Sequence, residues 1–78
     1  MMSDVILSQY AIYDHPSDYP HNFVVRRWDV YDGFDVPVPN GNPVLAETLE
    51  GARAAVPPGL VNIGRMPGDD PVILEVRT

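Results

Sequence analysis

The chain has 78 residues, with eleven Asp and Glu against five Arg, no Lys, no Cys and a formal net charge of −6. So short a chain makes a single domain, residues 1–78, with a modest core: a domain of this size hides only about 60% of the surface its unfolded chain exposes. The missing cysteine removes disulfides, thiolate metal sites and a cysteine nucleophile. The charge argues against nucleic-acid backbones and anionic membranes, which both call for clustered cations. It permits plain solubility or a partner that is itself basic.

Residues 1–8 read as a leader that either adds a short strand through Val5-Ile6-Leu7 or frays. It has no basic start, and no run approaches the roughly 18 apolar residues that cross a bilayer, so a soluble protein of the host cytoplasm is expected. Gln9 to Tyr13 alternates aromatic and branched residues and predicts a strand. Asp14 to Asn22 follows as a loop. Its Pro16 and Pro20 exclude a ladder strand and fix φ, so the loop should be ordered.

Phe23 to Tyr31 is the longest strand-forming run and predicts the central strand. Alternation puts Val24, Arg26, Trp28 and Val30 on one face and Phe23, Val25, Arg27, Asp29 and Tyr31 on the other. A bulge near Arg26-Arg27 is the alternative, shifting the later residues between faces. The two arginines beside Trp28 could clamp a base; the surrounding Asp29, Glu47 and Glu75 favour structural ion pairs instead. Asp32 to Pro43 is irregular, with a turn expected at Asn40-Gly41 and only edge-strand character around Pro37 and Pro39. Val44 to Glu47 is short and extended.

Thr48 is a fitting N-cap and Glu50 suits the first turn of a helix. Leu49, Ala52 and Val56 make a narrow apolar stripe, and Pro57-Pro58-Gly59 ends it. A helix of about two turns cannot stand alone and must dock on a sheet. Leu60–Arg65 and Val72–Arg77 predict two strands joined by a polar turn. Within the second, Val72, Leu74 and Val76 face one way, and Ile73, Glu75 and Arg77 the other, a half-buried pattern with the first set inward. The fold class expected is α+β: an antiparallel sheet of four to five strands with one short helix packed on one face, in the order β-β-β-α-β-β.

No catalytic constellation is present. The serines lack a nucleophile context, and Asp69-Asp70 sit in a turn where adjacent acids are solvated. A non-enzyme without cofactor is expected. Asp14, His15, Asp18 and His21 are all of ligand type, but their spacing matches no usual metal arrangement, and a capped loop is the favoured reading over a metal site. Gly64 and Gly68 are not followed by a helix and so do not form a phosphate-cradling loop. What remains is loop acidity with aromatic anchors. Asp14, Asp18, Tyr19, Asp32, Phe34, Asp35, Asp69 and Asp70 form the candidate partner-binding set, suited to a basic groove built for nucleic acid.

The run Tyr13-Asp14-His15-Pro16-Ser17-Asp18-Tyr19-Pro20-His21 with Phe23-Val24-Val25-Arg26-Arg27-Trp28 resembles a family of small uncharacterised proteobacterial and phage proteins. Thr48-Leu49-Glu50-Gly51-Ala52-Arg53 leading to Pro58-Gly59-Leu60, and Asp69-Asp70-Pro71-Val72-Ile73-Leu74-Glu75-Val76, fit the same pattern. The resemblance covers most of the chain from Tyr10 onward and carries no catalytic assignment. Size and acidity also look like some anti-CRISPR proteins of the type I class. That likeness implies a stoichiometric inhibitor that binds a Cascade-like surveillance complex and blocks DNA recognition, with no direct nucleic-acid contact. The alternatives are an accessory or structural module that self-associates through a strand edge, for instance as a homodimer, and a metal-dependent enzyme.

Overall fold

The structure, a computed structural model, describes residues 5–34, 36–65 and 70–78. Five strands and one helix follow in the expected order: β1 Val5–Asp14, β2 Phe23–Tyr31, β3 Val38–Ala46, α1 Leu49–Ala54, β4 Asn62–Gly64 and β5 Ile73–Arg77. They form one antiparallel sheet in the spatial order β3-β2-β1-β5-β4. The chain makes a three-strand meander, crosses one face through α1, and returns to lay β4 and β5 on the far side of β1. The helix therefore covers a single face.

The middle position belongs to β1, not to the Phe23–Tyr31 strand as expected. Gln9–Tyr13 and Val5-Ile6-Leu7 are one continuous strand because β1 pairs with β2 along its whole length, from Val5 opposite Tyr31 to Asp14 opposite Phe23. β2 lies one place off centre, between β1 and β3. Its register against β1 runs unbroken through Ala11 opposite Arg26 and Tyr10 opposite Arg27, so the β2 faces alternate as its sequence dictates. The irregularity near these arginines lies on β3. There Val44 faces Val25 and Asn40 faces Arg27, so β3 takes four steps while β2 takes two. β3 begins at Val38, inside the segment expected to be irregular as far as Pro43, and Asn40-Gly41, expected as a turn, is part of a bulge within it, with Gly41 at φ 78°. Together with Pro39 and Pro43 this leaves β3 an irregular edge, a form that discourages strand addition.

The β1–β2 loop is ordered by its own hydrogen bonds. The Tyr19 N–H donates to the Pro16 carbonyl at 2.9 Å, the Asn22 N–H to Tyr19 at 3.2 Å and the His15 N–H to Asn22 at 3.0 Å. The His15 and Phe23 rings meet edge to face at 4.8 Å. Proline at 16 and 20 fixes φ where these turns need it.

At the helix start, Thr48 is extended and its hydroxyl accepts the Gly51 N–H at 3.0 Å. That satisfies one of the orphan donors of the first turn. Ala52 and Val56 face down on Ile12 and Val25, all four buried, with Tyr10, Phe23, Ala46, Leu49 and Leu60 around them. Ala52 is fully covered, which brings the helix backbone close to the sheet. Burial of each Val or Ile here contributes about 1.5–3 kcal/mol, enough to hold a helix that could not form by itself.

β5 departs from strict alternation. Glu75 lies opposite Ile12 and Ile73 opposite Tyr13, so Leu74 is an extra residue in the ladder. The bulge brings Ile73 to the face that Val76 occupies and leaves Leu74 exposed, against the expectation that Leu74 and Val76 share a buried face. Glu75, expected on the solvated side, is the most buried residue of the strand. No helix among the described residues is long and apolar enough to cross a membrane.

Candidate functional site

The sheet presents two chemically different faces. On the helix-free face, alternation aligns Gln9, Ala11 and Tyr13 of β1 with Val24, Arg26 and Trp28 of β2. Ala11 and Val24 are buried at its floor. An open cavity of about 220 Å³ lies over this floor, lined by Gln9, Ala11, Tyr13, Trp28, Pro37, Ile73 and Val76. The Trp28 indole N–H donates to the Tyr13 hydroxyl at 3.2 Å, which fixes both rings along the groove. Ile73 reaches this cavity only because of the Leu74 bulge.

A second, more polar cavity of about 510 Å³ adjoins it, with Tyr13 in both walls and Pro16, Ser17, Asp18, Arg26, Asp70 and Val72 as the remaining lining. Here the Arg26 guanidinium donates to Asp18 Oδ2 at 3.1 Å, while the Val72 N–H donates to Asp70 Oδ1 at 3.1 Å. The helix-free face is therefore one trough, apolar at the Trp28 end and edged by carboxylates at the Asp18 and Asp70 end.

Of the expected partner-binding residues, Asp18 and Asp70 come together in this trough. Asp14 stands at the same end of the sheet, exposed and in contact with the His15 ring. Tyr19 is half-buried within the loop. Asp32 and Phe34 lie beyond Tyr31, at the opposite end of β2 from that loop, with Phe34 exposed and edge-on to Tyr31 at 6.1 Å. Asp35 and Asp69 fall outside the described residues. Among the described residues no group of three or more His, Asp or Glu is placed to hold a metal ion. Within the Asp14–His21 loop, Asp18 is turned toward Arg26 instead.

The helix-bearing face carries a feature that composition conceals. One cross-strand row spans all five strands: Asn40, Arg27, Tyr10, Arg77 and Asn62 are successive partners from β3 to β4. A buried carboxylate stands beside each arginine. Asp29, wholly buried, accepts from Ser8 Oγ at 2.8 Å, Arg27 Nε at 2.9 Å and Asn40 Nδ2 at 2.6 Å. Glu75 accepts from Arg53 Nε at 2.7 Å, Asn62 Nδ2 at 2.8 Å and Arg77 Nε at 3.0 Å.

Burial by itself would raise the Asp29 carboxyl above its usual range. The hydrogen bonds from Asn40, Ser8 and Arg27, with the Arg27 charge, outweigh it and hold the group below its ordinary value. Glu75 behaves alike: burial opposes ionisation, and the two arginines win. Arg27 is correspondingly raised, first by its hydrogen bond to Asp29 and then by the Asp29 charge, against some desolvation and with the Tyr10 and Tyr31 phenols adding.

The spacings Arg27-x-Asp29 and Glu75-x-Arg77 place each pair on one strand face, and this much is readable from a linear chain. Ser8, Tyr10, Asn40 and Asn62 enter only through strand register, which no local signal reports. The helix-bearing face sets the Ser8 hydroxyl on Asp29, a carboxylate whose lowered pKa makes it a weak base, and the helix-free face sets Trp28 against Tyr13. Both offer surfaces for binding: an amphipathic trough on one side and a carboxylate-anchored arginine row on the other. Models of known protein families, curated proteins and solved structures all give no match to this chain.

Proposed function

We propose that the protein acts by binding a partner protein through its helix-free face, as a stoichiometric inhibitor rather than an enzyme. The observation that carries this reading is the joining, at Tyr13, of an apolar groove to a carboxylate-edged one on a single rigid sheet face. A partner surface with a basic side chain next to an apolar one complements both halves. The aromatic pair Trp28 and Tyr13 would supply the desolvated anchor, and Asp18 and Asp70 the charge complementarity. The net charge of −6 favours encounter with such a partner and disfavours a nucleic-acid one.

In its most specific form the partner is the DNA-binding surface of a CRISPR surveillance complex of the Cascade type, and the protein blocks DNA recognition. Support for that form comes from the chain's charge and size and from the phage-type resemblance of its Tyr13–Trp28 segment. The test is gel filtration of the protein with purified Cascade, paired with a DNA-binding assay. Co-elution with loss of DNA binding is expected. Asp70→Lys and Trp28→Ala should each weaken the complex, the former with reduced salt dependence. Separate elution with undisturbed DNA binding sinks the specific form. A doubling of mass in sedimentation that Trp28→Ala abolishes would instead make a second copy the occupant of the trough.

A further inference from the structure

Arg53 and Arg77 come from distant parts of the chain, the last turn of α1 and the end of β5, and meet at one side chain. Arg53 donates through Nε to Glu75 Oε1 at 2.7 Å, and Arg77 Nη2 lies 2.8 Å from Oε2. The other two ion pairs that Arg26 and Arg27 make are one to one: Arg26 with Asp18 and Arg27 with Asp29. Among the described residues, Glu75 alone carries two guanidiniums, so this ion-pair set joins two positive charges to one negative on a chain whose overall charge is −6.

The carboxylate that holds the pair is buried, with its side chain 5% exposed, while the Arg53 and Arg77 side chains are 47% and 25% exposed. Charge balance is thus met from beneath only by half, and the open side is solvent. A guanidinium has five N–H donors. Arg53 spends its Nε on Glu75, and Arg77 its Nε and Nη2. The remaining donors belong to two planar forks already fixed in place, so little side-chain entropy is lost when a second oxyanion arrives. The acidic trough of Asp18 and Asp70 lies on the other face, with the thickness of the sheet between. Across that distance exposed charges are largely screened at physiological salt, where the Debye length is about 8 Å.

We propose that Arg53 and Arg77, held by the buried Glu75 carboxylate, form a binding site for one phosphate group. Its tetrahedral oxygens accept from both forks and its charge completes the counter-ion set that Glu75 leaves unfinished. The site lies on the opposite face from the partner-binding trough and stands or falls independently of it. Two sources supply this chemistry: free phosphate, favoured here, and the phosphodiester of a nucleic acid, whose polyanionic backbone the net charge of −6 repels.

The test follows the Nε–Hε NMR signals of the arginines in the full chain at neutral pH, titrated with inorganic phosphate and, separately, with sodium chloride to matched ionic strength. Saturable movement of the Arg53 and Arg77 signals with phosphate alone, while Arg26, Arg27 and Arg65 stay, is the expected result. Arg53→Gln should then weaken phosphate about tenfold, the value of one charge-assisted hydrogen bond, and Arg26→Gln, on the opposite face, should leave it unchanged. The wild-type signals carry the test even where a variant loses its fold. Equal movement of all five arginines, movement that chloride reproduces, or no movement overturns the site. An oligothymidylate arm distinguishes the sources. Displacement of phosphate by the oligonucleotide at lower phosphate-equivalent concentration assigns the site to a nucleic-acid backbone, and no displacement assigns it to free phosphate.

Discussion

Glu75→Gln isolates the contribution of one buried charge, because the substitution keeps volume and one acceptor oxygen. The remaining oxygen can still serve the side shared by Asn62 and Arg77, at 2.8 and 3.0 Å in the wild type. The new amide then points its donors at Arg53, whose 2.7 Å bond to Oε1 is lost. Loss of one hydrogen bond to a charged group costs about 1.5–3 kcal/mol. A domain of this length has roughly 4–12 kcal/mol of stability in all. Since each kcal/mol moves Tm by about 4–8 °C at this size, Tm should fall by roughly 6–24 °C.

Acid supplies an independent check on the same residue. The Glu75 pKa is lower in the folded protein than its ordinary value of 4.5, so its contribution is fully present above that value and is lost as pH falls through the folded pKa. Wild type and Glu75→Gln should therefore differ near neutral pH and converge in acid, where the protonated carboxyl and the amide are equivalent. Urea unfolding read by Trp28 fluorescence and far-UV circular dichroism measures both, with exposed Asp32→Asn as the reference substitution. A difference under about 0.5 kcal/mol at neutral pH, within the range of ordinary surface changes, refutes the reasoning. So does a difference that persists unchanged below the folded pKa.

Two further outcomes follow from the helix. Ala52→Leu forces extra volume between α1 and the sheet where no surface is exposed, and should cost about 1–3 kcal/mol in urea unfolding while Ala54→Leu, exposed on the same helix, stays near neutral. Thr48→Ala removes the 3.0 Å cap on the Gly51 N–H and should cost about 0.5–2 kcal/mol, with Thr48→Asp restoring most of it.

The Thr48 cap, the Leu49, Ala52 and Val56 stripe and the Pro57-Pro58-Gly59 stop are local signals, and the structure places the helix where they do. The bounds of β2 and its face alternation are equally local. Harder to read were the places where two strands disagree in length. The extra residues at Gly41 to Pro43 and at Leu74 shift register, and a register shift depends on the partner strand as much as on the bulged one. Leu74 left the buried face and Ile73 joined Val76 for that reason. The trough inherits the same difficulty. Asp18 and Asp70 were candidates by charge, but their sharing of a cavity with Tyr13 and Arg26 depends on the β1–β5 pairing across sixty residues of chain.

By itself, the sequence determined the order of strands and helix, the α+β class and the two-faced alternation of β2, because each rests on residues within a few positions of one another. Only the tertiary structure decided that β1 takes the middle of the sheet, that Asp29 and Glu75 are buried, and that two arginines share one carboxylate. Burying a charge is favourable only when donors from other strands arrive to meet it. Ser8, Asn40, Arg53 and Asn62 are those donors, and each is brought there by the sheet or by the helix packed on it rather than by its neighbours in the chain.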